Sequence, residues 1–459
     1  MGYSCAVFIK KKVHPMKSKS SIAILPLIFA GLLVACAPPA EVSVSVEAAA
    51  PAPAPSRDLA MAAPEEVGMD SGRLDRLTSA MQGLVDEGRL AGAVTAVARH
   101  GKIAHFESAG YRDLEAGAPM TNDTLFRIYS MTKPITGVAL MMLYEEGKFR
   151  LSDPVEMHIP ELSDLQVAAG TDENGEMILE PANHPMTVRE LMAHTGGLTY
   201  GIFSASEVDS MYVEANLLDN GITLKEMVTR LGAIPLRQQP GSMWHYSVAV
   251  DVQGYLVEVL SGMAFDDFLD ERLFQPLGMT DTDFYVPAEK VDRFAQVYTY
   301  DEEGDLFAAE LFGGVNGFLE DPVFKGGGGG LVSSTMDYLK FTQMLANGGE
   351  LNGVRILAPL TIDLMRRNQL PRGLPDYVSG ASGTVFGLDF AVVTDPVEAE
   401  AFSAGEYYWG GAAGTWFWID PVEDLIMVGM IQHWGRGMPN VRALSRQLTY
   451  QAITEPLGI

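Results

Sequence analysis

The sequence predicts an α+β fold: one antiparallel sheet flanked by helices from both ends of the chain, with a mainly helical subdomain inserted. Three patterns carry this prediction. A helical stripe followed by a hairpin opens the folded part, a hairpin followed by a helical stripe closes it, and the stretch between reads mostly as helices with Gly/Pro-rich connections. At the first end, Asp70-Ser71 offers an N-cap, after which Leu74, Leu77, Met81 and Leu84 recur at helical spacing. Ala93–Ala98 and Ile103–Phe106 then flank His100-Gly101-Lys102, a hairpin signature. Ile135–Tyr144 is apolar nearly all round, which marks a centrally buried helix. The inserted subdomain runs over roughly 146–325. At the far end, Trp416–Ile419 and Leu425–Met430 flank Asp420-Pro421, and Val441, Leu444 and Leu448 stripe a last helix. Trp416 and Trp418 alternate along the first of these strands, so one is expected to face the core and the other the cleft or solvent. No internal repeat is visible.

Composition narrows the class. The 459 residues are 47% hydrophobic and 20% charged, enough apolar material for a sizeable core. A formal charge of −27 repels phosphate backbones and sets nucleic acid aside as a partner. Both cysteines, Cys5 and Cys36, fall near the start, so the folded part has no thiol nucleophile and no thiolate metal site. Five lysines precede the apolar run Ile22–Ala35, which is short for a bilayer span and has the shape of a secretory leader. Leu33-Val34-Ala35-Cys36 resembles the bacterial lipobox, with Cys36 as the residue to be lipidated. Residues 1–35 are therefore expected to be a signal peptide, with Met16 as an alternative start, and 36–62 an Ala/Pro-rich tether too poor in large apolar residues to fold. This leaves 63–459 as the folded domain of an exported protein. It would be lipid-anchored in the cell envelope, facing the periplasm or the exterior, with its oligomeric state open.

The chemistry centres on Ser130-Met131-Thr132-Lys133-Pro134. Proline lacks an N–H and is tolerated only in a helix's first turn, so Pro134 places Ser130 at or next to the N-terminus of the buried helix. Unpaired N–H groups and the positive end of the dipole favour an alkoxide there. Lys133, three residues on, lies on the same face, and a desolvated lysine can take a serine's proton. Tyr246 stands just ahead of a second helix, carrying Val248, Val252, Tyr255 and Val259, with Ser247 as its expected cap. Near the C-terminus, Tyr408-Trp409-Gly410-Gly411-Ala412 precedes the last hairpin. Gly410 and Gly411 are expected to let the strand approach a substrate, and the Ala412 N–H to form an oxyanion hole with that of Ser130.

Ser-x-x-Lys, in this order with the other segments, resembles the β-lactamase-like serine hydrolases, most closely the carboxylesterases related to class C β-lactamases (family VIII). The resemblance covers essentially 63–459. It includes His194-Thr195-Gly196-Gly197-Leu198, Gly326–Gly330 followed by Leu331-Val332-Ser333-Ser334, and Asn347-Gly348-Gly349-Glu350-Leu351. It implies the β-lactamase/penicillin-binding-protein-like fold, a small-molecule ester as substrate and no cofactor. It also implies Ser130 as acylated nucleophile, Lys133 as its base partner and Tyr246 as general base and acid. Two departures matter. Where lactamases have Tyr-x-Asn the third position is Val248, and where they have Lys-Thr-Gly the chain has Trp409-Gly410-Gly411. An indole in place of the lysine removes a carboxylate's partner and makes an apolar wall for acyl or aryl groups. Ester hydrolysis therefore ranks above β-lactamase, peptidoglycan DD-peptidase or D-amino-acid amidase activity. A non-catalytic envelope binding protein is the alternative from another class.

Other signals read as structural. No Lys-Ser/Thr follows Gly326–Gly330, and Ser334 with Asp337 reads as a capping box, so the glycines are not a phosphate loop. His194 reads as a satisfied turn histidine, Asp172–Glu176 as an acidic turn, and the histidines nowhere take metal-ligand spacing.

Overall fold

The computed structural model describes residues 59–203, 205–309 and 317–458. The signal-peptide and Cys36 assignments lie outside them. Residues 59–62, given to the tether by sequence, are instead bound to the first hairpin: the Leu59 N–H donates to the Gly101 carbonyl and the Ala62 N–H to that of Ile103.

Helix α1 (Ser71–Asp86) starts where Asp70 accepts the Arg73 N–H, and its stripe of Leu74, Leu77, Met81 and Leu84 is buried. Strands β1 (Gly92–Arg99) and β2 (Lys102–Asp113) follow, joined by His100 and Gly101, both at positive φ, and then the short β3 (Ala118–Pro119). The rest of the sheet comes from the far end: β4 (Thr384–Phe386), β5 (Ala391–Val393), β6 (Tyr407–Gly410), β7 (Trp416–Asp420) and β8 (Leu425–Met430). The eight strands lie in the order β4-β5-β6-β7-β8-β1-β2-β3, all antiparallel. The sheet closes where the two ends of the chain meet, Val94 opposite Met430 and Arg99 opposite Leu425.

Each face of the sheet has its own core. Under the terminal helices, α1 and the last helix (Val441–Tyr450), sit Ala93, Val97, Trp416, Trp418 and Met427. On the other face Val94, Ala96, Phe417, Ile419 and Val428 pack into the larger core with the helical region. This corrects the expectation for the two tryptophans. Residues two apart on a strand share a face, so both indoles are buried beneath the terminal helices. The segment 146–325 holds helices and two small hairpins, Gln166–Thr171 with Met177–Pro181 and Tyr298–Tyr300 with Leu306–Ala308. Asp172 turns the first hairpin by accepting the N–H groups of Asn174 and Glu176.

Helix α2 (Thr132–Glu145) is central, buried from Thr132 to Leu143, with Pro134 in its first turn. Against it packs α3 (Ala249–Ser261). The cap of α3 is Val248, not Ser247, whose hydroxyl bonds His194 Nδ1 and the Ala249 N–H, and Val259 is exposed rather than core. Helix α4 (Thr335–Ala346) is capped by Ser334 on the Asp337 N–H, but no reciprocal box forms. Asp337 faces Asp281, Thr282 and Lys340 instead.

Arg99 fastens the terminal layer. Fully buried, it donates to the carbonyls of Val67, Gly68, Glu423 and Glu455 and pairs with the Glu423 carboxylate at 2.9 Å. Arg99→Ala would leave that carboxylate and the carbonyls without their partner, a loss of about 3–5 kcal/mol for a broken buried pair. Denaturant titration should show that loss. Activity per folded molecule should be retained, because none of these groups lines the Ser130 cleft.

Candidate active site

Ser130 lies in a single 3-10 turn, Tyr129–Met131, that leads directly into α2. Tyr129 holds a left-handed φ of 41°, uncommon for a non-glycine residue and sustained here by contacts on both sides. The Ile128 N–H donates to the Leu331 carbonyl, Thr132 Oγ1 accepts the Leu331 N–H, and the Tyr338 hydroxyl donates to the Met131 carbonyl. The serine thus rests on a turn tied to the chain around 331 and to α4.

Lys133 is 1% exposed. Its ammonium faces Ser130 Oγ at 3.4 Å, the Tyr200 hydroxyl at 2.9 Å and the Gly328 carbonyl at 2.5 Å. It lies 4.6 Å above the centre of the Tyr246 ring. The three residues assigned from sequence, Ser130, Lys133 and Tyr246, are therefore brought together. The hydroxyl on the lysine, however, belongs to Tyr200, while that of Tyr246 is buried without a hydrogen-bond partner.

Sequence reasoning missed Tyr200. It stands two residues beyond the His194–Leu198 segment, and main-chain bonds set it beside Tyr246. The N–H groups of Arg237, Gly241, His245 and Val248 donate to the carbonyls of Gly197, Thr195, His194 and Thr199. Burial first, then the charge of Asp251, pushes the Tyr200 phenol well above its ordinary pKa, so it stays protonated. His194 is buried behind Tyr246, their ring centres 4.9 Å apart. Burial and then the charge of Lys133 hold it well below the ordinary imidazole value, so it is neutral. Its Nδ1 meets Ser247 while its Nε2 has no partner among the described residues, so it is only half satisfied as a turn histidine.

The Gly326–Gly330 run proves structural and also lines the cleft. Thr136 and Lys133 hold the carbonyls of Gly327 and Gly328, and Asp251 Oδ1 accepts the Gly328 N–H at 2.8 Å.

Trp409, Gly410 and Gly411 do something other than the sequence suggested. Trp409 points to the helical side of the sheet and packs on Tyr246 and Phe386, with ring centres 5.5 and 5.4 Å away. It braces Tyr246 from behind and does not line the cleft beside Ser130. The glycines admit the protein's own groups. A Cβ on Gly410 would collide with the Arg442 guanidinium, and one on Gly411 with Thr415 Oγ1 and the Ile128 carbonyl. That approach brings the turn after β6 against the segment carrying Ser130. Ala412, on this turn, lines the cleft with Ser130, and its N–H takes part in none of the described hydrogen bonds. The arrangement suits an oxyanion hole.

The cleft measures about 320 Å³. Its walls are Tyr129, Ile202, Phe203, Leu218, Phe284, Phe318, Phe324 and Trp434, and among the described residues its lining includes no Lys or Arg and one carboxylate, Asp251. The apolar wall expected from Trp409 is thus built by other side chains.

Residues 77–451 match the sequence profile of the family described as β-lactamase. Protein Rv1367c of Mycobacterium tuberculosis is 38% identical over 373 residues, which cover 78% of this chain and 90% of that protein. Esterase EstB of Burkholderia gladioli is 34% identical over 377 residues, covering 77% of this chain and 89% of the esterase. Among solved structures, EstCE1, a hydrolase with promiscuous acyltransferase activity, superposes with a TM-score of 0.70 at 27% identity. It covers 84% of this chain and 99% of its own.

Gly411→Ala tests the contact that joins the two halves of the site. The added methyl must push the Ala412 turn away from Ile128, so kcat should fall by about 100-fold, the order of a lost oxyanion donor, with KM little changed. Steady-state kinetics on a p-nitrophenyl ester would show it.

Proposed function

The chain belongs to the β-lactamase family, and from that premise we propose that it is a serine carboxylesterase hydrolysing uncharged short-chain or aryl esters through an acyl-enzyme on Ser130. The observation that carries this reading is the charge of the cleft. A serine and a buried lysine open onto walls that, among the described residues, offer a substrate carboxylate no further Lys or Arg and present Asp251 instead. A β-lactam or a peptidoglycan C-terminus would enter with its carboxylate unpaired, whereas a neutral ester brings nothing that needs a cation. The names of the relatives point the same way: EstB is an esterase and EstCE1 a hydrolase.

In the proposed reaction Ser130 Oγ attacks the ester carbonyl as its proton passes to the uncharged amine of Lys133, which becomes the ammonium. The N–H groups of Ser130 and Ala412 receive the oxyanion. Collapse breaks the bond to the alkoxy group, which leaves as the alcohol after taking a proton from Tyr246, itself resupplied through Lys133. Water then adds to the acyl-serine, giving its proton to the same base; collapse breaks the acyl–Oγ bond, that proton returns to Ser130 Oγ, and the acid leaves. Export as a lipoprotein anchored through Cys36 completes the reading, resting on the leader and lipobox pattern alone. Replacing Cys36 with Ala should abolish metabolic labelling by radioactive palmitate.

The direct test is intact-mass spectrometry after a fluorophosphonate probe, with Ser130→Ala in parallel. One adduct, absent from the variant, is expected, and p-nitrophenyl butyrate turnover should vanish with it. On the wild-type protein kcat/KM for nitrocefin should lie about 100-fold or more below that for the butyrate ester. Nitrocefin turnover equal to ester turnover would assign the site to β-lactams instead.

A further inference from the structure

Every hydrogen-bond partner of the Lys133 ammonium is a neutral oxygen, from Ser130, Tyr200 and Gly328. A buried ammonium with only neutral acceptors has no counter-charge in direct contact. The lysine must nevertheless accept and carry the serine proton, so a compensating charge is needed nearby. Two buried carboxylates act on it. Asp389, across α2 beside Gly137, has one oxygen on the Gln253 amide and one without a partner. Asp251 is 2% exposed, lines the cleft, accepts the Gly328 N–H through Oδ1 and leaves Oδ2 unpartnered. Gly328 therefore links the two groups, its N–H on the carboxylate and its carbonyl on the ammonium. A Cβ at Gly328 would strike both Asp251 Oδ2 and the Tyr200 hydroxyl, so these atoms close around one point.

We propose that Asp251 is a positioning residue for the proton relay: its carboxylate fixes Gly328 on Lys133, and its charge retains the proton that the lysine receives from Ser130. This rests on the esterase reading and adds the group that holds the lysine's acceptor and its counter-charge in place. The other titratable groups facing Lys133 are Tyr200, Tyr246, His194 and Asp389. Tyr200 and His194 are held neutral by burial, and burial pushes the Asp389 carboxyl well above its ordinary range, which leaves Asp251 to supply the charge. The reciprocal influence is visible on Asp251, whose carboxyl burial holds above its ordinary value against the downward pull of the Lys133 charge and then of the Gly328 N–H.

The test is the pH profile of kcat/KM on p-nitrophenyl butyrate. Asp251→Asn keeps an oxygen for the Gly328 N–H but removes the charge, so the acidic limb should move down by about one pH unit and the plateau should fall. Asp251→Glu restores the charge and should bring the limb back toward the wild-type position. Gly328→Ala displaces the carboxylate without deleting it and should move the limb the same way by less. It provides the same readout if Asp251→Asn fails to fold. A lowered plateau with an unmoved limb, in whichever folded variant is measured, would leave Asp251 a merely structural role and overturn the proposal. Fluorophosphonate labelling of Ser130 in wild type separates this failure from that of the esterase reading, which alone predicts the adduct.

Discussion

A lysine ammonium cannot be buried in an apolar helix unless its three protons find acceptors, and in this molecule the acceptors come from outside that helix. Helix α2 is buried from Thr132 to Leu143, so Lys133 has no route by which to reach water. The loop at Gly326–Gly330 must therefore lie against its first turn, and it does, held by Thr136 on one carbonyl and Asp251 on the next N–H. The turn at Tyr200 must lie on the other side, and it is zipped to the chain at 237–248. The position of α3 is bound by the same requirement, because Asp251 sits in its first turn. Much of the helical region is thus arranged around one cation, and the nucleophile is what that cation faces.

The sheet contributes through its closure. Because β8 pairs with β1, the C-terminal strands are fixed to the N-terminal hairpin, and the turn after β6 comes to rest on the Ile128 carbonyl just before Ser130. Only a residue without a side chain fits there, so a steric requirement at Gly411 becomes the alignment of Ala412 with the serine. Trp409, two residues earlier and on the same helical side, supports Tyr246. One short strand therefore serves both the oxyanion side and the phenol side of the cleft.

What was legible in the sequence was local. The Asp70 cap, the His100-Gly101 turn and the apolar runs determine their own elements, and Ser130 with Lys133 meet because residues three apart on a helical turn share a face. The site's other partners carry no such mark. Tyr200 and Lys133 are separated by 67 positions, and nothing in Gly197-Leu198-Thr199-Tyr200 announces a phenol aimed at a lysine. Asp251 reads in sequence as one polar residue within an apolar helical stripe, and its meaning comes from the Gly328 N–H. Trp409 was misjudged for a related reason. The departure from a lysine at that position is real, but the indole that replaces it turns to the helical side of the strand. The apolar wall is built instead by side chains from several separate segments, such as Phe203, Phe284 and Trp434.

The absence of a lining Lys or Arg has a second consequence under the proposed chemistry. Ester hydrolysis converts a neutral substrate into a carboxylate within the cleft. A second cation along the walls would hold that product through the charge it had just created, and turnover would then be limited by release. Here the new carboxylate forms beside Lys133 and, on its way out, meets apolar walls and Asp251, inside a chain of net charge −27. Like-charge repulsion and the cost of an unpaired carboxylate in an apolar cleft both act on the product, and neither acts on the ester. The cleft that disfavours anionic substrates at entry is for the same reason one that expels its own acid.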